Sequence, residues 1–260
     1  MEDRFLNKAN NLPVKESISG RTVNVDGTFL EEVSEVIVEH EMEVTINGVT
    51  AFILSCTPGD LTELVVGRLY TEGIISGVDD IVKLFICGKG QLAEVSLKGD
   101  MEFKPYSGAE PTCCTGNRQL IDGGRKLKRL SDIQVKREVV FALANRFSED
   151  SRLHKSTGGT HSCYIRFDDG SIEVFEDIGR HNALDKAVGY MLLNGYSAES
   201  SVLYTTGRVA ADMVIKVVAA GIPALVSKAV PTTKAVALAN EYGLKLICKA
   251  WPDSYCELRM

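Results

Sequence analysis

The chain has 260 residues, is 45% hydrophobic and 25% charged, carries a formal net charge of -6 and holds seven cysteines. That balance excludes a disordered chain, and the overall acidity argues against a dedicated nucleic-acid binder. An odd cysteine count excludes a scaffold with every thiol paired within the chain. No secretory signal opens the chain, and no run of about 18 apolar residues is present to span a bilayer. The expectation is therefore a cytoplasmic protein with reduced thiols.

In chain order, the first 20 residues are polar and predict little order until they dock. Residues 36–56 alternate, and Asn47-Gly48 falls between two β-rich runs, a strong signal for a two-residue hairpin turn. Asp60 with Glu63 three residues on reads as a helix start. Leu61, Leu64, Val65 and Leu69 follow at helical spacing up to Gly73. Strands are predicted at 82–87 and 91–97, so residues 1–105 form a β-rich unit with one central helix. Residues 106–131 read as a connecting loop that carries Cys113-Cys114. Between 118 and 137, Arg118, Arg125, Lys126, Lys128, Arg129, Lys136 and Arg137 face only Asp122 and Asp132, a basic segment inside an acidic protein.

From residue 132 the pattern becomes α/β. A helical stripe (Val135, Val139, Leu143, Phe147) precedes a hairpin over 162–176 that turns at Asp168-Asp169-Gly170. Helices are predicted at 180–193, 209–220 and 232–242, each stopped by a glycine. Short strands at 202–205, 223–227 and 244–248 alternate with them. This alternation implies a largely parallel sheet with helices packed on it.

Ligands of parallel sheets bind at the carboxyl ends of the strands. Thr206-Gly207-Arg208 and Ser227-Lys228 fall there, and Thr232 opens the next helix. Glycine, hydroxyl and cation at helix N-termini suit a phosphate or carboxylate, or simply cap the helices. In Asp177-Ile178-Gly179-Arg180-His181-Asn182-Ala183-Leu184-Asp185-Lys186, Arg180, His181 and Asp185 can hold a ligand or exchange protons. The plainer reading is a helix start with an i,i+4 pair on an exposed face. Gly158-Gly159 permits close backbone approach. His161 and Cys163 share one strand face, as a Cys–His pair or as core residues. Adjacent cysteines rarely bridge each other and do not match zinc spacing, so Cys113-Cys114 beside Arg118 suggests either a nucleophilic loop thiol or two inert ones. Sequence templates for dinucleotide and P-loop binding, for the nucleophile elbow and for zinc deaminases are absent.

Taken together, these residues resemble the formate dehydrogenase accessory sulfurtransferases, the FdhD family. The likeness rests on Glu176-Asp177-Ile178-Gly179-Arg180-His181-Asn182-Ala183-Leu184-Asp185-Lys186, on Thr157-Gly158-Gly159-Thr160-His161, on Thr206-Gly207-Arg208, Ala220-Gly221-Ile222-Pro223 and Pro231-Thr232, and on Leu64-Val65-Val66-Gly67-Arg68-Leu69-Tyr70-Thr71-Glu72-Gly73-Ile74-Ile75. It spans roughly residues 20–250. The resemblance implies a cytidine deaminase-like α/β domain without the zinc site, in a homodimer. It implies a loop cysteine that takes sulfur from a cysteine desulfurase as a persulfide. That sulfur goes to the molybdenum or tungsten bis-pterin guanine dinucleotide cofactor before insertion into formate dehydrogenase. A GDP-like guanine nucleotide is then a partial mimic of the bound substrate. The family often carries Cys-Gly-x-Cys in the loop; here Cys114-Thr115-Gly116-Asn117 makes Cys114 the implied carrier, with Cys113 as helper or bystander. The family's aromatic-x-Arg segment is replaced by Lys249-Ala250-Trp251-Pro252-Asp253-Ser254, where Lys249 and Trp251 can meet a phosphate and a guanine face. A cofactor-binding chaperone that transfers no sulfur is the alternative, and a deaminase-like hydrolase a more distant one.

Overall fold

The computed structural model describes residues 4–99 and 127–258. Cys113, Cys114 and most of the connecting loop lie outside them, as does the expected boundary at residue 105. Two sheets and a projecting hairpin are built. Strands β1 (Phe5–Asn7), β4 (His40–Ile46), β5 (Val49–Cys56), β6 (Ile81–Ile86) and β7 (Leu92–Leu97) form a five-stranded sheet in the order β1-β6-β7-β4-β5. Among the described residues, strands β2 (Lys15–Val23) and β3 (Phe29–Ile37) pair only with each other. The first 20 residues are thus strand-forming: β1 is held parallel to β6 through the Phe5↔Leu84 register, and β2 is half of a nine-residue ladder.

The second sheet has six strands in the order β13-β12-β11-β10-β8-β9, with β8 (His161–Arg166), β9 (Ile172–Asp177), β10 (Val202–Thr205), β11 (Ala224–Ser227), β12 (Lys245–Cys248) and β13 (Cys256–Glu257). The expected parallel run is its centre, β10-β11-β12, and antiparallel pairs complete it on both sides. Strands β10 and β11 are buried at every position, as continuous apolar strands covered on both faces must be. Strand β4 instead alternates and buries Met42, Val44 and Ile46 on one face. The Asn47-Gly48 turn forms as read, both residues at positive φ (49° and 80°).

Among the described residues, six α-helices cover these sheets: α1 (Leu61–Thr71), α2 (Arg137–Asp150), α3 (Arg152–Thr157), α4 (Arg180–Leu193), α5 (Ala211–Ala219) and α6 (Thr233–Tyr242). Helix α3 was not anticipated. Helices α4, α5 and α6 share one core with the six-stranded sheet, and α2 builds a second core on its other face. Helix α1 joins a third core with the five-stranded sheet. Leu61, Leu64, Val65 and Leu69 are buried there as the spacing required, each contributing roughly 1.5–3 kcal/mol. Asp60 does precede α1 as the helix start, but in the left-handed region and without a side-chain cap. Residues Leu127 and Leu130 already pack with α6: the Leu130 amide donates to the Tyr242 carbonyl at 2.8 Å.

Helices α1 and α4 join the two halves at backbone contact. A Cβ on Gly67 would collide with the Asp185 carbonyl, and one on Gly189 with the Glu63 carbonyl. Only glycine lets the helices come this close.

Candidate functional site

The sheet topology brings the polar clusters of the sequence to one rim. Strand β8 runs antiparallel to β10, so its start, after Gly158-Gly159, lies beside the end of β10; the Thr206 and Ser162 backbones are tied at 3.1 Å. The ends of β9, β10, β11 and β12 face the same way. They bring Asp177 and α4, then Thr206-Gly207-Arg208, then Ser227-Lys228, then Lys249 onward to this rim.

The run from Glu176 to Lys186 divides in two. Asp177 is fully buried and saturated: it accepts from the Thr57 amide and hydroxyl at 3.0 Å, from the Gly179 amide and Asn182 at 2.9 Å, and pairs with Lys186 at 2.8 Å. Glu176 caps α3, accepting from the Leu153 and His154 amides at 2.9 Å. Asp185 and Lys186 are fully buried, so the exposed i,i+4 face expected for α4 is instead its join to α1. These groups hold the backbone.

Arg180 and His181 remain at the rim. The Arg180 side chain lies on Gly207, where an added Cβ would come within 3.0 Å of it. Its Nε and Nη2 are buried and meet no acceptor among the described residues. His181 Nε2 lies 3.0 Å from Asp212 Oδ2. Burial raises the Asp212 carboxyl, but the hydrogen bond and charge of His181 outweigh it and bring it to about 2. His161 is held below the ordinary histidine value by burial and then by the Arg180 charge, which favours the neutral ring.

The other expected residues serve mixed roles. Thr206 Oγ1 accepts from the Ser162 amide at 3.0 Å, and Arg208 is exposed. Ser227 is buried and used inside the rim: its hydroxyl donates to the Gly207 carbonyl at 2.9 Å and accepts from the Ala229 amide at 3.0 Å. Thr232 caps α6 by accepting from the Ala235 amide at 3.2 Å. Gly158 ends α3 at φ 67°, and Gly159 abuts Ile37 at the base of the β2–β3 hairpin. The Lys228 ammonium sits between the rings of Phe147 (4.5 Å) and Trp251 (4.7 Å). Lys249 adopts φ 51° and starts the turn that presents Trp251, Pro252, Asp253 and Ser254 to solvent, while Ala250 is buried and its carbonyl accepts from the Tyr204 hydroxyl at 3.2 Å.

A Cys163–His161 catalytic pair is not formed. Cys163 is completely buried in the core under α4, and burial drives its thiol far above its ordinary value. Cys56 and Cys248 are likewise buried and pushed up to about 12. Cys87 lies just past β6 in a turn rather than in a strand. Burial raises its thiol, but the Leu92, Lys89, Gln91 and Gly90 backbones together outweigh it and bring the thiol below its ordinary value.

The sequence reading missed a second polar cluster. At the α1–α4 crossing, Lys216 of α5 pairs with Asp185 at 2.9 Å and Glu72 at 3.2 Å, and Arg68 pairs with Glu72 at 3.3 Å and Asp185 at 3.7 Å. Thr71 donates to Asp185 at 2.7 Å and accepts from Lys216 at 2.8 Å. Arg68 and Glu72 at i,i+4 inside an apolar helix were the available signal. A cleft of about 710 Å³, lined by Tyr70, Ser76, Lys128, Arg129, Glu199 and Gly221 among others, opens beyond the amino ends of β10 and β11, away from the rim. None of the expected site residues among the described ones lines it. Among the described residues, no group of three or more His, Cys, Asp or Glu is arranged to hold a metal ion, and no helix is long and apolar enough to cross a membrane.

Known proteins align with this architecture over most of the chain. The sulfur carrier protein FdhD of Geobacillus kaustophilus (strain HTA426) is 33% identical over 228 residues, covering 85% of this chain and 87% of the relative. That of Sulfurisphaera tokodaii is 34% identical over 201 residues, covering 76% and 78%. The crystal structure of a putative formate dehydrogenase accessory protein from Desulfotalea psychrophila superposes with a TM-score of 0.78 at 24% identity, covering 95% of this chain and 98% of that one, and shares the fold. With the FdhD/NarQ family model matching residues 37–255, the chain belongs to the FdhD/NarQ family.

Proposed function

We propose that this protein is a sulfur carrier for formate dehydrogenase, acting in the cytoplasm as a sulfurtransferase. Family membership and the names of its relatives carry the first half of that reading. In the finer half, Cys114 is the carrier, assisted by Cys113. The Cys114 thiolate attacks the outer sulfur of a cysteine desulfurase persulfide; the S–S bond breaks, the desulfurase thiolate leaves, and Cys114 holds the persulfide. The S–S bond then breaks with its electron pair left on Cys114, which returns the thiolate, and the outer sulfur passes as neutral sulfur to the metal of the bis-pterin guanine dinucleotide substrate, which supplies the two electrons that make it a sulfide. The segment from 118 to 137 carries the charge to attract a polyanion or the donor protein.

The rim is the substrate site in this reading. The two buried Arg180 nitrogens, which meet no acceptor among the described residues, are the supporting observation, since a buried guanidinium gains from a phosphate oxygen. Arg208, Lys228 and Lys249 supply further cations, Trp251 a stacking face, and His161 and His181 donors. Gly158, Gly159 and Gly207 give close backbone, while Ser227 and Thr232 shape the loops. The homodimer belongs to the same reading. One face of the β2–β3 hairpin exposes Val23, Phe29 and Val33 by half or more and gives a second copy an apolar seat. A lone two-stranded hairpin is marginal in water.

The test is sulfur loading by a cysteine desulfurase and cysteine, followed by mass analysis. One sulfur should appear on Cys114 and none on Cys114→Ala; equal loading of that variant overturns the assignment. If the Cys113→Ala/Cys114→Ala protein still restores formate dehydrogenase activity in a strain lacking its own carrier, the protein is a cofactor-binding chaperone instead.

A further inference from the structure

Strands β12 and β13 pair antiparallel, and Cys248 stands directly opposite Cys256. Opposed residues of an antiparallel ladder have Cα atoms about 4.5–5.5 Å apart, within the roughly 4.4–6.8 Å that a disulfide spans. Their side chains also share a face. Cys248 belongs to the core under α6, Leu258 two residues beyond Cys256 packs on that same core, and Tyr255 just before Cys256 packs on the opposite one. Both thiols are free. They differ in access: Cys248 is 1% exposed, whereas Cys256 is half-buried.

We propose that Cys248 and Cys256 are a thiol–disulfide exchange site whose co-reactant is a small-molecule disulfide, and whose oxidised form staples the turn over residues 249–255. The Cys256 thiolate attacks one sulfur of the small disulfide; that S–S bond breaks, a mixed disulfide forms on Cys256, and the first small thiolate leaves. Cys248 gives its proton to solvent and attacks the Cys256 sulfur, expelling the second small thiolate. Two protein thiols are oxidised, and one small disulfide is reduced to two thiols. Burial, and then the neighbouring Cys256, push the Cys248 thiol up to about 12, which makes Cys256 the attacking group and Cys248 the resolving one.

The stapled turn carries Trp251, the sole tryptophan of the chain, which rests against the Lys228 ammonium. Oxidation therefore has a built-in optical reporter. The site stands on β12–β13 geometry and does not depend on sulfur transfer at Cys114. The experiment incubates the reduced full-length protein with oxidised glutathione, alkylates the remaining thiols and maps peptides by mass. A Cys248–Cys256 cross-link is expected, reversed by dithiothreitol and accompanied by a shift in Trp251 fluorescence. Cys248→Ala should instead accumulate glutathione on Cys256. A wild-type map in which Cys256 keeps its glutathione, joins another cysteine, or is alkylated together with Cys248 overturns the proposal without recourse to any variant.

Discussion

The α1–α4 crossing and the strand-end rim are built from the same side-chain chemistry, and they end up in opposite states. At the crossing, two cations and two carboxylates from three helices are sealed from solvent and joined to one another. At the rim, Arg180 buries two nitrogens that meet no acceptor among the described residues, and Arg208 and Lys249 stand in solvent. A cluster whose cations and carboxylates pair with one another holds a fold in register; a buried cation with no ion-pair partner among the described residues is ready to receive an anion. Distinguishing the two takes partners, because residue type and burial alone do not separate them.

The largest effect should come from the crossing. Lys216→Met leaves Glu72 and Asp185 buried with Arg68 alone between them, and should cost about 3–5 kcal/mol in urea unfolding. Adding Asp185→Asn should recover part of that loss, and a double-mutant cycle measures the coupling. Simple additivity of the two changes would mean that the ions do not act as a unit.

Arg180→Ala should behave in the opposite way. Its unfolding should stay within about 0.5 kcal/mol of the parent. Calorimetric binding of GDP, used as the probe, should weaken by about 1.5–3 kcal/mol, the worth of a charged hydrogen bond. Stability lost by several kcal/mol with GDP binding unchanged would place Arg180 with the structural ions.

Asp212 tests the middle ground, a rim pair that is internally satisfied. Its folded value of about 2 lies below the ordinary 3.8, so the unfolded chain takes the proton first. The contribution is fully present above about pH 4 and is lost as pH falls toward 2, on the order of 2 kcal/mol in all. Acid unfolding of Asp212→Asn should lack this limb; an unchanged acid profile would show that the pair adds nothing.

The smallest change is Thr232→Ala, which removes one helix cap and should cost about 1 kcal/mol in thermal unfolding. A loss of GDP binding beyond that stability change would move Thr232 from the scaffold to the ligand.

Local pattern made much of this protein legible. Helix α4 and strand β10 fall at the expected residues because periodicity, stop glycines and an apolar run act over a few neighbours. The Asn47-Gly48 turn was readable for the same reason: the two residues accept the positive φ that the turn demands. Residues 15–20 carry no such signal, because β2 is a polar strand with both faces in solvent and has no apolar period to reveal it. Cys87 was placed in a strand that ends one residue earlier, a boundary fixed by pairing with β7.

By itself the sequence determined which residues stand near one another along the chain, and the dense run from Glu176 to Lys186 was conspicuous on that ground. Tertiary structure alone decided how that run divides. Asp177, Asp185 and Lys186 found partners contributed by α1, α5 and the end of β5 and were consumed by the fold, while Arg180 came to rest on Gly207 with donors to spare. The reason is that a buried ion is defined by what satisfies it, and the groups that do so here lie far away in sequence. Lys216 is 31 residues from Asp185, and Thr57 is 120 from Asp177.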